Sequence, residues 1–209
     1  MSHRGGPATA PGAPRHARQP HARFLTRSSA MAGVYEKHDP TVHTLARASG
    51  HGVVTGADAD ALYACFRDFG GWQRWLPETA FDLVHGGRGT EVGALRIVVF
   101  VQGQKFLYER LDALDDNARV VTYSGVNYGT GRDKESYGLD ASPFPGAFVD
   151  YTSTVRVMPI TPVAGQPPAA YMSWEGEVWT QPDKAAELTA FLNAFYRGNI
   201  AKLNAHFAK

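Results

Sequence analysis

Residues 182–207 carry one long amphipathic stripe, Leu188, Phe191, Leu192, Phe195, Leu203 and Phe207, at the end of a chain whose preceding segments read as β-strands in series. A helix of that length, about 35 Å, spans a whole sheet, so its apolar face is buried only if the sheet curves around it. Pro182-Asp183 supplies the first-turn signal. The upstream order tightens the constraint. ASGHGVVTG reads as a short, Gly-punctuated strand ending near Thr55. Leu62, Phe66 and Phe69 then recur at helical spacing behind a candidate N-cap, Asp58. Gly70-Gly71 breaks that helix before a second short turn around Trp72 and Trp75, which Pro77 closes. Six strand-like runs follow, AFDLVHG, ALRIVVFV, KFLYERLDAL, RVVTYSGV, AFVDYTSTVRVM and AYMSWEGEVWT, and their Gly, Asp-Asp-Asn and Pro-rich links imply an antiparallel meander. The predicted fold class is α+β: a curved antiparallel sheet of about seven strands wrapped around a long C-terminal helix, with two short helices after the first strand and a cavity inside.

Alternation assigns faces. Val149, Tyr151, Ser153, Val155 and Val157 share one side of their strand, and Met172, Trp174, Gly176 and Val178 share one side of the next. Glu109 has the parity of Leu107, Leu111 and Ala113. Glu109 and Tyr151 therefore fall on apolar faces, where a polar group needs a partner or a ligand. Gly198 interrupts the last helix at a cost of roughly 1 kcal/mol relative to Ala, which signals close approach by either a ligand or a strand.

At 209 residues with 44% apolar and 20% charged residues, the chain reads as one domain with a tail. We place an N-terminal extension at 1–45 and the ligand-binding domain at 46–209. Residues 1–31 are rich in Arg, His, Pro, Ala and Gly with no acidic residue, a composition that reads either as a disordered extension or as an organelle transit peptide. The expected location is accordingly cytoplasmic, or plastid or mitochondrial if the extension is cleaved. A net charge of +1 offers no footprint for nucleic acid, and no apolar run is long enough to span a bilayer. Single Cys65, beside Leu62 and Phe66, reads as a small buried hydrophobe. The eight histidines form no metal-ligand spacing, so neither a metal nor a cofactor is expected. Nothing in the sequence specifies an oligomeric state.

Four short motifs in this order, W-L-P at 75–77, V-G-x-x-R at 92–96, E-R-L-x-x-L-D at 109–115 and W-E-G-E at 174–177, resemble the START and birch-pollen-allergen-like superfamily, also called polyketide cyclase/dehydrase and lipid-transport proteins. The resemblance covers residues 46 to the end and implies a helix-grip fold with a large internal cavity. Within that superfamily the pattern is similar to the plant lachrymatory-factor synthases, which rearrange an alkenyl sulfenic acid into a thial S-oxide. That similarity implies Arg96 and Glu109 as the essential pair, Tyr123 and Tyr151 as cavity tyrosines and Trp174 as a cavity tryptophan. The link at 127–146, far longer than in those synthases, reads as a loop over the cavity mouth, and the hairpin between Arg96 and Glu109 is shorter.

The chemistry expected of these residues is a cofactor-free intramolecular proton transfer. Burial raises the Glu109 carboxyl and Arg96 lowers it, holding it in a useful range, while Tyr123 and Tyr151 donate hydrogen bonds and Arg96 binds an oxygen that gains charge. Leu107, Val149, Met172, Trp174 and Trp75 would line the ligand. The competing reading of Arg96 and Glu109 is a structural ion pair between neighbouring strands. Two functions stay open: an isomerase, cyclase or lyase acting on a small apolar molecule, or a non-catalytic carrier or sensor for a lipid-like or hormone-like ligand.

Overall fold

The computed structural model describes residues 39–85, 89–100, 105–127, 140–141 and 148–209, with strand residues 80, 82–85, 100, 105–106, 126–127, 140–141 and 148–149 described by backbone alone. The tail at 1–38, most of the long link (128–139 and 142–147) and the hairpin tip at 101–104 lie outside the described residues.

The chain runs β1 (Thr44–Thr55), α1 (Ala59–Arg67), a 3-10 turn (Trp72–Arg74), β2 (Thr79–His85), β3 (Leu95–Phe100), β4 (Lys105–Asp115), β5 (Val120–Asn127), β6 (Asp140–Ala141), β7 (Phe148–Pro159), β8 (Ala169–Thr180), a second 3-10 turn (Pro182–Lys184) and α2 (Ala185–Phe207). The main sheet has the order β1-β8-β7-β5-β4-β3-β2, and the two-residue β6 pairs in parallel with β4 off that path. This is the helix-grip fold expected from the sequence: a meander whose far edge is completed by the first strand. β1 begins at Thr44, just before the expected domain start.

Local chemistry accounts for the elements. Asp58 Oδ1 accepts from the Ala61 N–H at 2.8 Å, capping α1. The Arg67 guanidinium and the Tyr63 hydroxyl both donate to Asp116 in the β4–β5 turn, and Arg119 donates to Asp60, so α1 is tied to that hairpin end. Irregularities bend the sheet. A register shift between Val149 and Tyr151 places Asp150 at φ 46°, a left-handed conformation that Asp tolerates. A second shift, between Leu111 and Ala113, overturns one expectation. Leu107, Glu109 and Leu111 are buried as their parity requires, but the extra residue flips the strand, so Ala113 is exposed and Leu114 packs on the core instead.

The glycines of β1 explain how the helix is gripped. A Cβ on Gly50 would lie 2.6 Å from the Cβ of Tyr196 and 3.0 Å from the Arg197 nitrogen, and one on Gly52 would lie 3.4 Å from Ile200 Cγ2. Flanking these contacts, Asn193 Oδ1 accepts from the Ser49 N–H at 2.7 Å, and Asn204 accepts from the Thr55 N–H and donates to the Val53 carbonyl. The helix thus lies directly on the edge strand and satisfies backbone groups that the sheet leaves unpaired. Gly198 does the opposite of what its position suggested. It is exposed, and an added Cβ would meet no neighbouring element within 4 Å, so no described strand approaches it.

Candidate functional site

Arg96 and Glu109 are paired residues in the β3–β4 register, so their side chains leave the sheet side by side. Both are buried, with Arg96 1% and Glu109 6% exposed. Arg96 Nε donates to Glu109 Oε2 at 2.8 Å and Nη2 donates to the same oxygen at 2.5 Å, while Nη1 donates to the Phe69 carbonyl at 2.5 Å. The guanidinium carbon lies 3.7 Å from the Phe69 ring centroid, 3.8 Å from that of Trp72, 4.6 Å from that of Phe81 and 5.6 Å from that of Tyr123. Aromatic faces thus replace part of the water this cation has lost. Among the described residues none donates to Glu109 Oε1, the oxygen left over on a carboxylate that lines a pocket.

The rest of the pocket wall is Trp72, Leu76, Thr79, Phe81, Val98, Tyr123, Trp174 and Phe195. Trp174 Nε1 is shared between Tyr123 Oη at 3.0 Å and Ser153 Oγ at 2.8 Å, and Ser153 in turn donates to the Glu175 carbonyl at 3.0 Å. An indole N–H only donates, so the Tyr123 oxygen is the acceptor in that bond and keeps a hydrogen of its own to give. Tyr151 stands behind Tyr123, the rings edge to face at 6.2 Å, and its hydroxyl bonds that of Tyr196 at 3.0 Å. Tyr196 stacks on Trp174 at 5.1 Å. Gly176 admits the Tyr196 hydroxyl where any Cβ would collide with it.

Burial pushes the Glu109 carboxyl up, with the Arg96 charge and its hydrogen bonds pulling it part of the way back. Burial weakens proton binding by Arg96, which stays a cation because guanidinium is so strong a base. The hydroxyls of Tyr123, Tyr151 and Tyr196 are pushed well up, chiefly by burial, so all three are neutral. Cys65 is likewise pushed up by burial, which disfavours its thiolate form.

Of the residues singled out in the sequence, Arg96, Glu109, Tyr123 and Trp174 meet at this pocket, whereas Tyr151, Leu107, Met172 and Trp75 are buried in the core around it and do not line it. Val149 pairs with Trp179 across the sheet, and its side chain lies outside those described. Among the described residues this pocket is small. The space open to a water centre is about 20 Å³, room for roughly one ordered water. The reason is aromatic filling: Trp72 contacts Phe66, Phe69, Trp75, Phe81, Tyr123 and Trp174 with ring centroids 5.4–5.9 Å apart. Sequence reasoning missed Ser153 as a pivot, Tyr196 and the cage formed by Phe69, Trp72 and Phe81. The signal for Tyr196 was present, since Leu188, Leu192, Tyr196, Ile200 and Leu203 form a tighter helical stripe than the phenylalanines chosen.

Among the described residues no group of three or more His, Cys, Asp or Glu could hold a metal ion, and no helix is long and apolar enough to cross a membrane. A search of curated proteins finds no match. Among solved structures, an uncharacterised protein of Bacillus thuringiensis aligns with TM-score 0.60 and 21% identity over 78% of this chain and all of the other. Norcoclaurine synthase of Thalictrum flavum, solved with dopamine and hydroxybenzaldehyde, aligns with TM-score 0.56 and 15% identity over 80% of this chain and 88% of the other. Ara h 8.0201 aligns with TM-score 0.57 and 9% identity over 79% of this chain and 99% of the other. These likenesses show the fold. The family model for polyketide cyclase / dehydrase and lipid transport matches residues 47–208, and the chain therefore belongs to that family.

Proposed function

We propose that this chain is a cofactor-free enzyme that takes a small apolar molecule into the pocket and moves a proton within it, with Glu109 as acid and base. The observation that carries this reading is the asymmetry of the Glu109 carboxylate: Arg96 holds Oε2 from two nitrogens, and Oε1 is left without a described donor at a pocket wall. A raised carboxyl in such a place accepts a proton from one atom and returns it to another. For an alkenyl sulfenic acid, the S–O–H proton would pass to Oε1 and then to the far alkene carbon. The product is a thial S-oxide with the same atoms and no co-reactant. Tyr123 would donate to the oxygen that keeps the charge. Norcoclaurine synthase, with its dopamine and hydroxybenzaldehyde, supports catalysis on small molecules in this architecture. With all three nitrogens engaged and 1% exposure, Arg96 would position Glu109, and the guanidinium keeps two N–H groups for the oxygen that gains charge.

The engagement of all three Arg96 nitrogens within the protein also favours a second reading, in which the pair is structural and the domain at 46–209 is a carrier or sensor for an apolar ligand. The deciding experiment generates an alkenyl sulfenic acid in place from an alkenyl cysteine sulfoxide and follows thial S-oxide with the wild-type chain and Glu109→Gln. Product with the wild type, reduced about 100-fold or more in the variant, supports the enzyme. No product above the uncatalysed background with either chain overturns the sulfenic acid reaction and leaves the carrier.

A further inference from the structure

Asn199 is 1% exposed in the middle of α2, and its Nδ2 has no hydrogen-bond partner. A buried amide donor is costly to leave unpaired, so an orphan of this kind calls for a partner that arrives from outside the chain. Its place on the helix says where. Phe195, one turn earlier on the same face, lines the pocket together with Leu76 and Thr79, and Lys202, one turn later, is ion-paired with Glu78. Asn199 thus stands on α2 between Phe195, which lines the pocket, and Lys202, which pairs with Glu78, and is not itself part of the pocket wall.

We propose that Asn199 is a ligand-binding residue whose Nδ2 donates to an acceptor oxygen on the bound molecule, and that the ligand class is an apolar body carrying such an oxygen, as in a ketone, aldehyde or S-oxide. The inference rests on the ligand-binding reading but not on proton transfer by Glu109, and it holds for an enzyme and a carrier alike. A pocket with room for about one water accepts such a molecule only when wall side chains move. Phe195 is the one wall residue contributed by α2, so its displacement would open the pocket toward Asn199.

The test uses two probes of matched shape, acetophenone and α-methylstyrene, titrated into the full chain and into Asn199→Leu while tryptophan fluorescence is followed. Trp72 and Trp174 in the wall report occupancy. In the wild type the ketone binds about five- to tenfold more tightly than the hydrocarbon, the worth of one hydrogen bond. In Asn199→Leu that preference disappears, the hydrocarbon still binds, and Tm rises because an unpaired buried amide has been replaced by an apolar group of similar size. A preference for the ketone that is unchanged in the variant overturns the assignment of Asn199 while leaving the pocket a ligand site. Failure of both probes to bind the wild type overturns the ligand-binding reading and this inference with it.

Discussion

Arg96 and Glu109 are direct cross-strand partners in β3 and β4, and two guanidinium nitrogens converge on a single carboxylate oxygen. Removing one member of such a pair strands the other as a buried charge, whereas removing both does not. Arg96→Met should therefore destabilise the fold by about 3–5 kcal/mol, and the double variant Arg96→Met, Glu109→Leu should recover a large part of that loss. Urea unfolding of the two single variants and the double variant measures the coupling, and strict additivity would exclude a direct pair.

The same pair sets a pH dependence. Because the folded-state carboxyl of Glu109 is raised above its unfolded value, the native state binds this proton more tightly than the unfolded chain. Its contribution to stability is therefore complete below the unfolded pKa and is lost as pH rises through the folded one. The stability advantage of the wild type over Glu109→Gln should shrink from pH 4 toward neutrality. Urea midpoints of both proteins across that range test this, and an advantage that grows with pH would refute it.

Gly50 is required by the helix rather than by its own backbone. Adding a Cβ puts it 2.6 Å from Tyr196 Cβ and 3.0 Å from a main-chain nitrogen, neither of which can swing away. Gly50→Ala should lower stability by about 1–3 kcal/mol, seen as a fall in Tm.

Gly198 predicts the opposite sign. It is exposed within α2 with open space where a Cβ would go. Gly198→Ala should stabilise the protein by up to about 1 kcal/mol through helix propensity, without altering ligand binding.

How much of this was legible beforehand follows from the range of the forces involved. Alternation and turn residues are local, so the strands from β2 to β8 apart from β6, the cap at Asp58 and the long final helix could be read from short windows. The inward faces of β8 and of β7 from Tyr151 onward followed directly, whereas the register shift before Tyr151 breaks the alternation that placed Val149 with them. The glycine pattern of the first strand was visible, but not its cause, because Tyr196 and Ile200 lie far away in sequence. Arg96 and Glu109 were recognisable as a pair through motif spacing. That Arg96 would be enclosed by Phe69, Trp72 and Phe81 depends on how a turn after α1 folds over β2 and β3.

The amino-acid sequence by itself determined the order and type of the elements apart from β6, the family and the candidate residues for chemistry, because periodicity, capping and motif spacing act within a few residues of one another. The tertiary structure alone decided which of those residues meet. It bulged β4 so that Ala113 turned outward and left Gly198 in the open. It packed indole rings around the pocket beside Glu109 and left the amide of Asn199 without a partner. Each of these outcomes is set by packing between segments distant in the chain, where shape and the satisfaction of buried polar groups prevail over local preference.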